Sequence, residues 1–77
     1  APVHAARFPA GPPGLVGRGG GCRLQLPDPD ISEKHAAFIC HDSGNWWVYD
    51  LGSRNGVFVN DQKVIGRRLE DGHAVRF

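Results

Sequence analysis

Apolar residues recur along this chain in short runs, each cut off by glycine or proline before a helical period can develop. Eleven glycines and six prolines punctuate the 77 residues, and no stretch sustains the 3.6-residue spacing of an amphipathic helix. The runs that remain read as strands: Val3 to Phe8, Leu15 to Gly17, Arg23 to Leu26, Ala36 to Cys40, Trp46 to Asp50, Val57 to Asn60, a weaker Lys63-Val64-Ile65, and Ala74 to Phe77. Short strands separated by turn signals predict an all-β sandwich or barrel. Pro27-Asp28-Pro29-Asp30 continues neither strand nor helix, Asp42-Ser43-Gly44-Asn45 is a tight hairpin signal, and Asn60-Asp61 predicts a further turn.

Period-two alternation orients the central hairpin. It sends Ala36, Phe38 and Cys40 of one strand and Trp46 and Val48 of the next toward the core, where Leu24, Leu26, Leu51, Val59, Leu69 and Val75 are expected to join them. The same alternation leaves Ala37, Ile39, Trp47 and Tyr49 on the outer face, which is unusually apolar. That face predicts either cross-strand pairing on an exposed hairpin or a second protein-binding surface.

Composition narrows the class of molecule. A chain of 8.4 kDa is a single domain, residues 1–77, with its motifs in about 15–77, and a domain this small buries only about 60% of the surface its unfolded chain exposes. Seven aromatics and 40% apolar residues suffice for a core. A net charge of +1 supplies no general field toward nucleic acid or an anionic membrane. Cys22 and Cys40 are too few for a disulfide framework and read as reduced, in an intracellular setting. No apolar run approaches the roughly 20 residues of a membrane span. The start without methionine and the stop within a strand-like run lead us to expect a piece of a longer protein.

The candidate chemistry lies in the turns: Val16-Gly17-Arg18, then Ile31-Ser32-Glu33-Lys34-His35-Ala36, then Leu51-Gly52-Ser53-Arg54-Asn55-Gly56-Val57, then Leu69-Glu70-Asp71-Gly72. Their order and spacing resemble the forkhead-associated domain, whose pattern is a Gly-Arg, a Ser-x-x-His, a Ser-x-Asn-Gly and a late Leu-x-x-Gly-Asp. The resemblance implies an eleven-stranded sandwich of two twisted sheets, here expected without the family's final strand, whose loops at one end bind a phosphothreonine peptide. Carried over to this chain, Arg18 and Ser32 would contact phosphate, Arg54 would reinforce them, and Asn55 would hold the peptide main chain. Glu33, Lys34 and Ser53 would border the pocket, and Gly17, His35 and Gly56 would be architectural. His73 replaces the usual aspartate after Gly72.

The residue types suit that chemistry independently. A phosphate ester at neutral pH carries about −1.5 to −2 charges, and a planar guanidinium matches its oxygens better than an ammonium. An asparagine amide offers a donor and an acceptor to an extended backbone. Glu33 is the discordant residue, because a carboxylate about 4 Å from phosphate is unfavourable by about 1 kcal/mol in water and about 4 kcal/mol at a protein surface.

Other functions fit less well. Gly19-Gly20-Gly21 lacks the Lys-Ser/Thr ending and following helix of a nucleotide loop. Ser32 and His35 lack an orienting acid, so no enzyme is expected. His4, His35, His41 and His73 with Cys22 and Cys40 show no zinc spacing, and neither metal nor cofactor is expected. Two rivals remain: a phosphate-independent interaction module using the Ala37, Ile39, Trp47, Tyr49 face, and a small nucleic-acid binder using Arg18, Arg54, Lys63 and Arg67.

Overall fold

The computed structural model describes residues 5–7, 13–42 and 45–77, and these contain nine strands and no helix. The strands are β1 (Ala5–Arg7), β2 (Gly14–Gly17), β3 (Leu24–Gln25), β4 (Ala36–Asp42), β5 (Asn45–Asp50), β6 (Val57–Val59), β7 (Gln62–Val64), β8 (Gly66–Arg68) and β9 (Ala74–Arg76). One sheet has the order β1-β9-β6-β7 and the other β3-β2-β4-β5-β8. Every pairing is antiparallel except that of β2 with the two-residue β3.

The sandwich follows from the inward positions of the two sheets. Val16, Ala36, Phe38 and Val48 from the five-stranded sheet meet Val57, Val59 and Val75 from the four-stranded one, and Ile31, Leu69 and Phe77 come in from the connecting and terminal segments. Fully burying a side chain of valine, isoleucine, leucine or phenylalanine contributes about 1.5–3 kcal/mol, so this cluster supplies the main driving force for closing the sheets on each other. The N-terminal strand lies beside the last one, with Ala5 opposite Arg76 and Arg7 opposite Ala74. Of the expected run Val3 to Phe8, residues 3, 4 and 8 lie outside the described residues, as do Ser43 and Gly44 of the hairpin turn.

Three residues expected in the core lie outside it. Leu24 (40% exposed), Leu51 (44% exposed) and Cys40 are on the surface rather than in the core. Leu24 lies on the short edge strand β3, Leu51 is already past the end of β5, and Cys40 adjoins the register shift that ends the regular β4–β5 ladder. Leu26 and Trp46 pack against the core only in part. Val16, Ile31, Val57 and Phe77 occupy the core without having been expected there, and His35 is wholly buried.

Alternation succeeds for the outer face, with one correction. Ile39 stands opposite Trp47, and Ala37 stands between Leu15 and Tyr49 in register, yet Ala37 is only 6% exposed and offers no surface. Trp47 and Tyr49 stack with ring centroids 6.0 Å apart and planes 11° apart. His41, the extra residue at the register shift, sits edge-on to both rings at 5.8 Å and hydrogen-bonds the Tyr49 hydroxyl at 2.5 Å. The Tyr49 ring also lies over Gly66, where a methyl group would come within 2.9 Å of it. Contacts of this kind between cross-strand neighbours are the usual source of sheet stability.

β8 had no sequence signal. Glycine followed by two arginines has weak strand propensity, and all of β8 is exposed. It pairs with β5, Trp47 opposite Arg68 and Tyr49 opposite Gly66, and its arginines suit an edge that must resist further pairing. Ile65, 84% exposed, is not in a strand but at the point where the chain crosses from one sheet to the other. Asn60 and Asp61 both have positive φ, 48° and 68°, which matches the two-residue hairpin turn joining Val59 to Gln62.

Candidate functional site

Strand direction brings the motif-bearing loops together. Val16 pairs with Ala36 and Ala36 with Asp50, so β2 and β5 finish at the level where β4 begins. The segments after β2, before β4 and after β5 therefore emerge at one end of the sandwich, and these carry Arg18, Ser32 to His35, and Ser53 to Gly56.

Backbone pairing continues past the strands. Arg18 N–H donates to Ser32 O and Gly19 N–H to Glu33 O, each at 3.0 Å, while His35 N–H donates to Val16 O at 2.8 Å and Leu26 N–H to Gly17 O at 2.9 Å. Gly17 is the close-approach point in this arrangement. A side chain there would overlap the Glu33 carbonyl oxygen and stand 2.9 Å from Ser32 O, and both obstacles are backbone. Gly17→Ala is accordingly expected to cost about 1–3 kcal/mol, the range for overpacking a tight site. Because the displaced atoms belong to Ser32 and Glu33, ligand affinity should fall with stability. A denaturant midpoint within experimental error of the parent would refute this account.

His35 joins the loops from beneath. Its Nδ1 accepts from Ser32 N–H at 3.1 Å, which places the ring proton on Nε2, and Nε2 donates to Gly56 O at 2.7 Å. The ring is wholly buried and meets Phe77 edge-on at 6.0 Å, which in turn meets Phe38 at 6.1 Å. The bracing continues outward: Gly56 N–H donates to Ser53 Oγ at 2.9 Å and Ser53 N–H to Asp50 Oδ1 at 2.7 Å. Gly56 has φ +90°, a conformation natural to glycine, and it turns its carbonyl to His35 while its N–H serves Ser53. Ser53 is thus a turn-capping residue, and its hydroxyl oxygen accepts from the backbone.

All four residues expected to touch ligand also make contacts that the motifs did not predict. Arg18 is exposed, and its Nε donates to Ile31 O at 3.1 Å. That bond orients the guanidinium and leaves its Nη groups without a partner among the described residues. Arg54 Nη2 donates to Pro29 O and Asn55 Nδ2 to Asp30 O, each at 2.7 Å, so both side chains brace the Pro27 to Asp30 loop. Ser32 Oγ accepts from Arg54 N–H at 3.0 Å. A hydroxyl that accepts through one lone pair retains its proton to donate.

Glu33 lies on the other side of this segment, its Cγ 3.0 Å from the point where a Gly19 side chain would begin. The Glu33 carbonyl accepts from both Gly19 N–H and the Cys22 thiol, the latter at 3.3 Å. Glu33 and Lys34 are exposed. Among the described residues no group of three His, Cys, Asp or Glu side chains is placed to hold a metal ion, and no helix is long and apolar enough to cross a membrane.

Comparison with known proteins bears on this arrangement. A family model described as the FHA domain matches residues 14–77. Human kanadaptin is 36% identical over 76 residues, a match that covers 82% of this chain and 10% of that protein. The chain therefore spans a small part of the length of this curated relative. A structure solved in a study of phosphothreonine-dependent FHA domain interactions superposes with a TM-score of 0.77 at 33% identity, covering 83% of this chain and 66% of that one. EmbR of Mycobacterium tuberculosis, solved in complex with a low-affinity phosphopeptide, superposes with a TM-score of 0.78 at 28% identity, covering 88% of this chain and 18% of that one.

Proposed function

The chain belongs to the FHA domain family, and on that premise we propose that its loop end binds phosphothreonine-containing segments of partner proteins, serving kinase-dependent recruitment without catalysis. The observation that carries this reading is the convergence of Arg18, Ser32, Arg54 and Asn55 on one end of the sandwich, with the Arg18 Nη groups and the Ser32 proton still available to a ligand. The similarity to a phosphothreonine-dependent FHA domain and to a phosphopeptide complex supports it.

Each residue has a role in this reading. Arg18 presents a pre-oriented guanidinium to the phosphate, and Ser32 donates its hydroxyl proton to a phosphate oxygen. Arg54 holds the loop at Pro29 and adds positive charge nearby. Asn55 retains an acceptor oxygen and one amide hydrogen beyond its bond to Asp30, which suits an extended peptide backbone. Each charge-assisted hydrogen bond to phosphate contributes about 1.5–3 kcal/mol. Threonine's extra methyl contributes about 0.8 kcal/mol by transfer, roughly fourfold over serine.

Titration with matched threonine peptides, phosphorylated and not, tests the reading. Phosphorylation is expected to raise affinity at least about tenfold, from one or more charge-assisted bonds. Equal affinity across a degenerate peptide library would eliminate phosphate recognition and leave an interaction module of another kind. A nucleic-acid binder would instead take up any polyanion with steep salt dependence.

A further inference from the structure

We infer that Glu33 is a specificity-determining residue that selects phosphothreonine segments carrying a lysine or arginine close to the phosphorylated position. This rests on the phosphothreonine reading above and adds the class of sequence that the site takes. Glu33 and Gly19 are joined by the backbone hydrogen bond at 3.0 Å, and the Glu33 Cγ and Oε1 stand 3.0 and 3.7 Å from where a Gly19 side chain would begin. Gly19 follows Arg18 directly, so the carboxylate lies against the loop that presents the phosphate-binding guanidinium.

That carboxylate is exposed and has no ion-pair partner among the described residues. A salt bridge joins Arg76 and Asp61, neither of them near Glu33 in sequence. Glu33 therefore keeps its charge available to whatever enters the site. Toward the phosphate alone the effect is repulsive. Toward a ligand cation beside the phosphate it is attractive, so the sign of the flanking charge decides whether Glu33 opposes or assists binding. Ser32, the neighbouring residue, turns its hydroxyl to the opposite loop at Arg54, so phosphate contact and flank selection are separated along the backbone.

The test uses phosphothreonine peptides that carry Arg, Ala or Glu at each flanking position in turn, titrated by fluorescence anisotropy against the parent chain, Glu33→Gln and Arg18→Ala. At one flanking position or more, the parent is expected to bind the Arg peptide about three- to tenfold more tightly than the Ala peptide, and the Glu peptide more weakly than either. The preference should shrink with added salt. In Glu33→Gln the three should level, with the Ala peptide bound at least as tightly as by the parent. A preference for Arg that survives in Glu33→Gln overturns the inference. So does a parent that binds all three equally while remaining dependent on phosphate and on Arg18, and in that case the phosphothreonine reading itself stands. If no peptide binds in a phosphate-dependent way, both fall together.

Discussion

Arg18→Ala is expected to reduce phosphopeptide affinity by tenfold to more than a hundredfold while leaving the domain folded. The guanidinium is exposed, so its removal opens no cavity in the core. Its one internal bond runs from Nε to Ile31 O, and a neutral-acceptor bond of that kind contributes about 0.5–1.5 kcal/mol net to stability. Toward a phosphate dianion the Nη groups would make charge-assisted bonds of about 1.5–3 kcal/mol each, at 1.4 kcal/mol per tenfold in affinity. Calorimetric titration of parent and variant with one phosphopeptide, alongside thermal melts of both, measures the two effects separately. Arg18→Lys refines the result, because it keeps the charge but loses both the planar fork and the bond that orients it. Lysine should restore only part of the affinity. Retention of full affinity in Arg18→Ala would remove Arg18 from the site.

His35→Ala is expected to have the largest effect on stability, about 3–5 kcal/mol. The substitution deletes a wholly buried ring, opens space against Phe77, and strands Ser32 N–H and Gly56 C=O, whose partner was the imidazole. A buried polar group left unsatisfied costs about 1–3 kcal/mol, and truncating a large buried side chain costs several more in favourable cases. A chain of this length has a total stability of about 4–12 kcal/mol. The variant should therefore melt roughly 15 °C or more below the parent, or fail to fold at all. His35→Asn distinguishes bracing from bulk, since a short amide restores at most one of the two bonds. A loss below about 1 kcal/mol in His35→Ala would show that the loops hold together without it.

Both predictions concern residues whose importance was visible in the motifs, but what each residue does was visible only in part. His35 was expected to be architectural, and its two bonds give that expectation a mechanism. Asn55 and Arg54 were expected at a ligand, yet each also donates to a carbonyl of the Pro27 to Asp30 loop. No spacing rule announces such contacts, because Arg54 and Pro29 are 25 positions apart and meet only once β4 and β5 are paired in register and bring their flanking loops to one end of the sheet. The direction of Glu33 was equally hidden. In a turn-rich segment the alternation that orients strand residues does not apply, and only the approach of the Glu33 Cγ and carboxylate to Gly19 shows which way the side chain leans.

The same division runs through the fold. The β4–β5 hairpin, the inward Ala36, Phe38 and Val48, the outward Trp47 and Tyr49, and the Asn60-Asp61 turn were all readable, since period-two alternation and turn chemistry act over a few residues. The exposure of Leu24, Leu51 and Cys40 was not, because apolar character and alternation do not reveal a short edge strand, the end of a strand or a register shift. Nor was β8, whose strand character comes from the neighbouring β5 rather than from Gly66, Arg67 and Arg68. Ile31 and Phe77 stand alone among polar neighbours or at the end of a run, and their burial depends on what folds over them.

By itself, then, the sequence determined the all-β class, the central hairpin with its two faces, and the set of polar residues that belong to a phosphate-binding family. These are consequences of local period, turn preference and residue chemistry. Only the tertiary structure decided that those residues share one end of the sandwich, that His35 and Gly17 hold their loops in contact, and that the Glu33 side chain rests against Gly19. Such relations depend on strand register and on close approach between distant segments, and both arise only when strands far apart in sequence pair with one another.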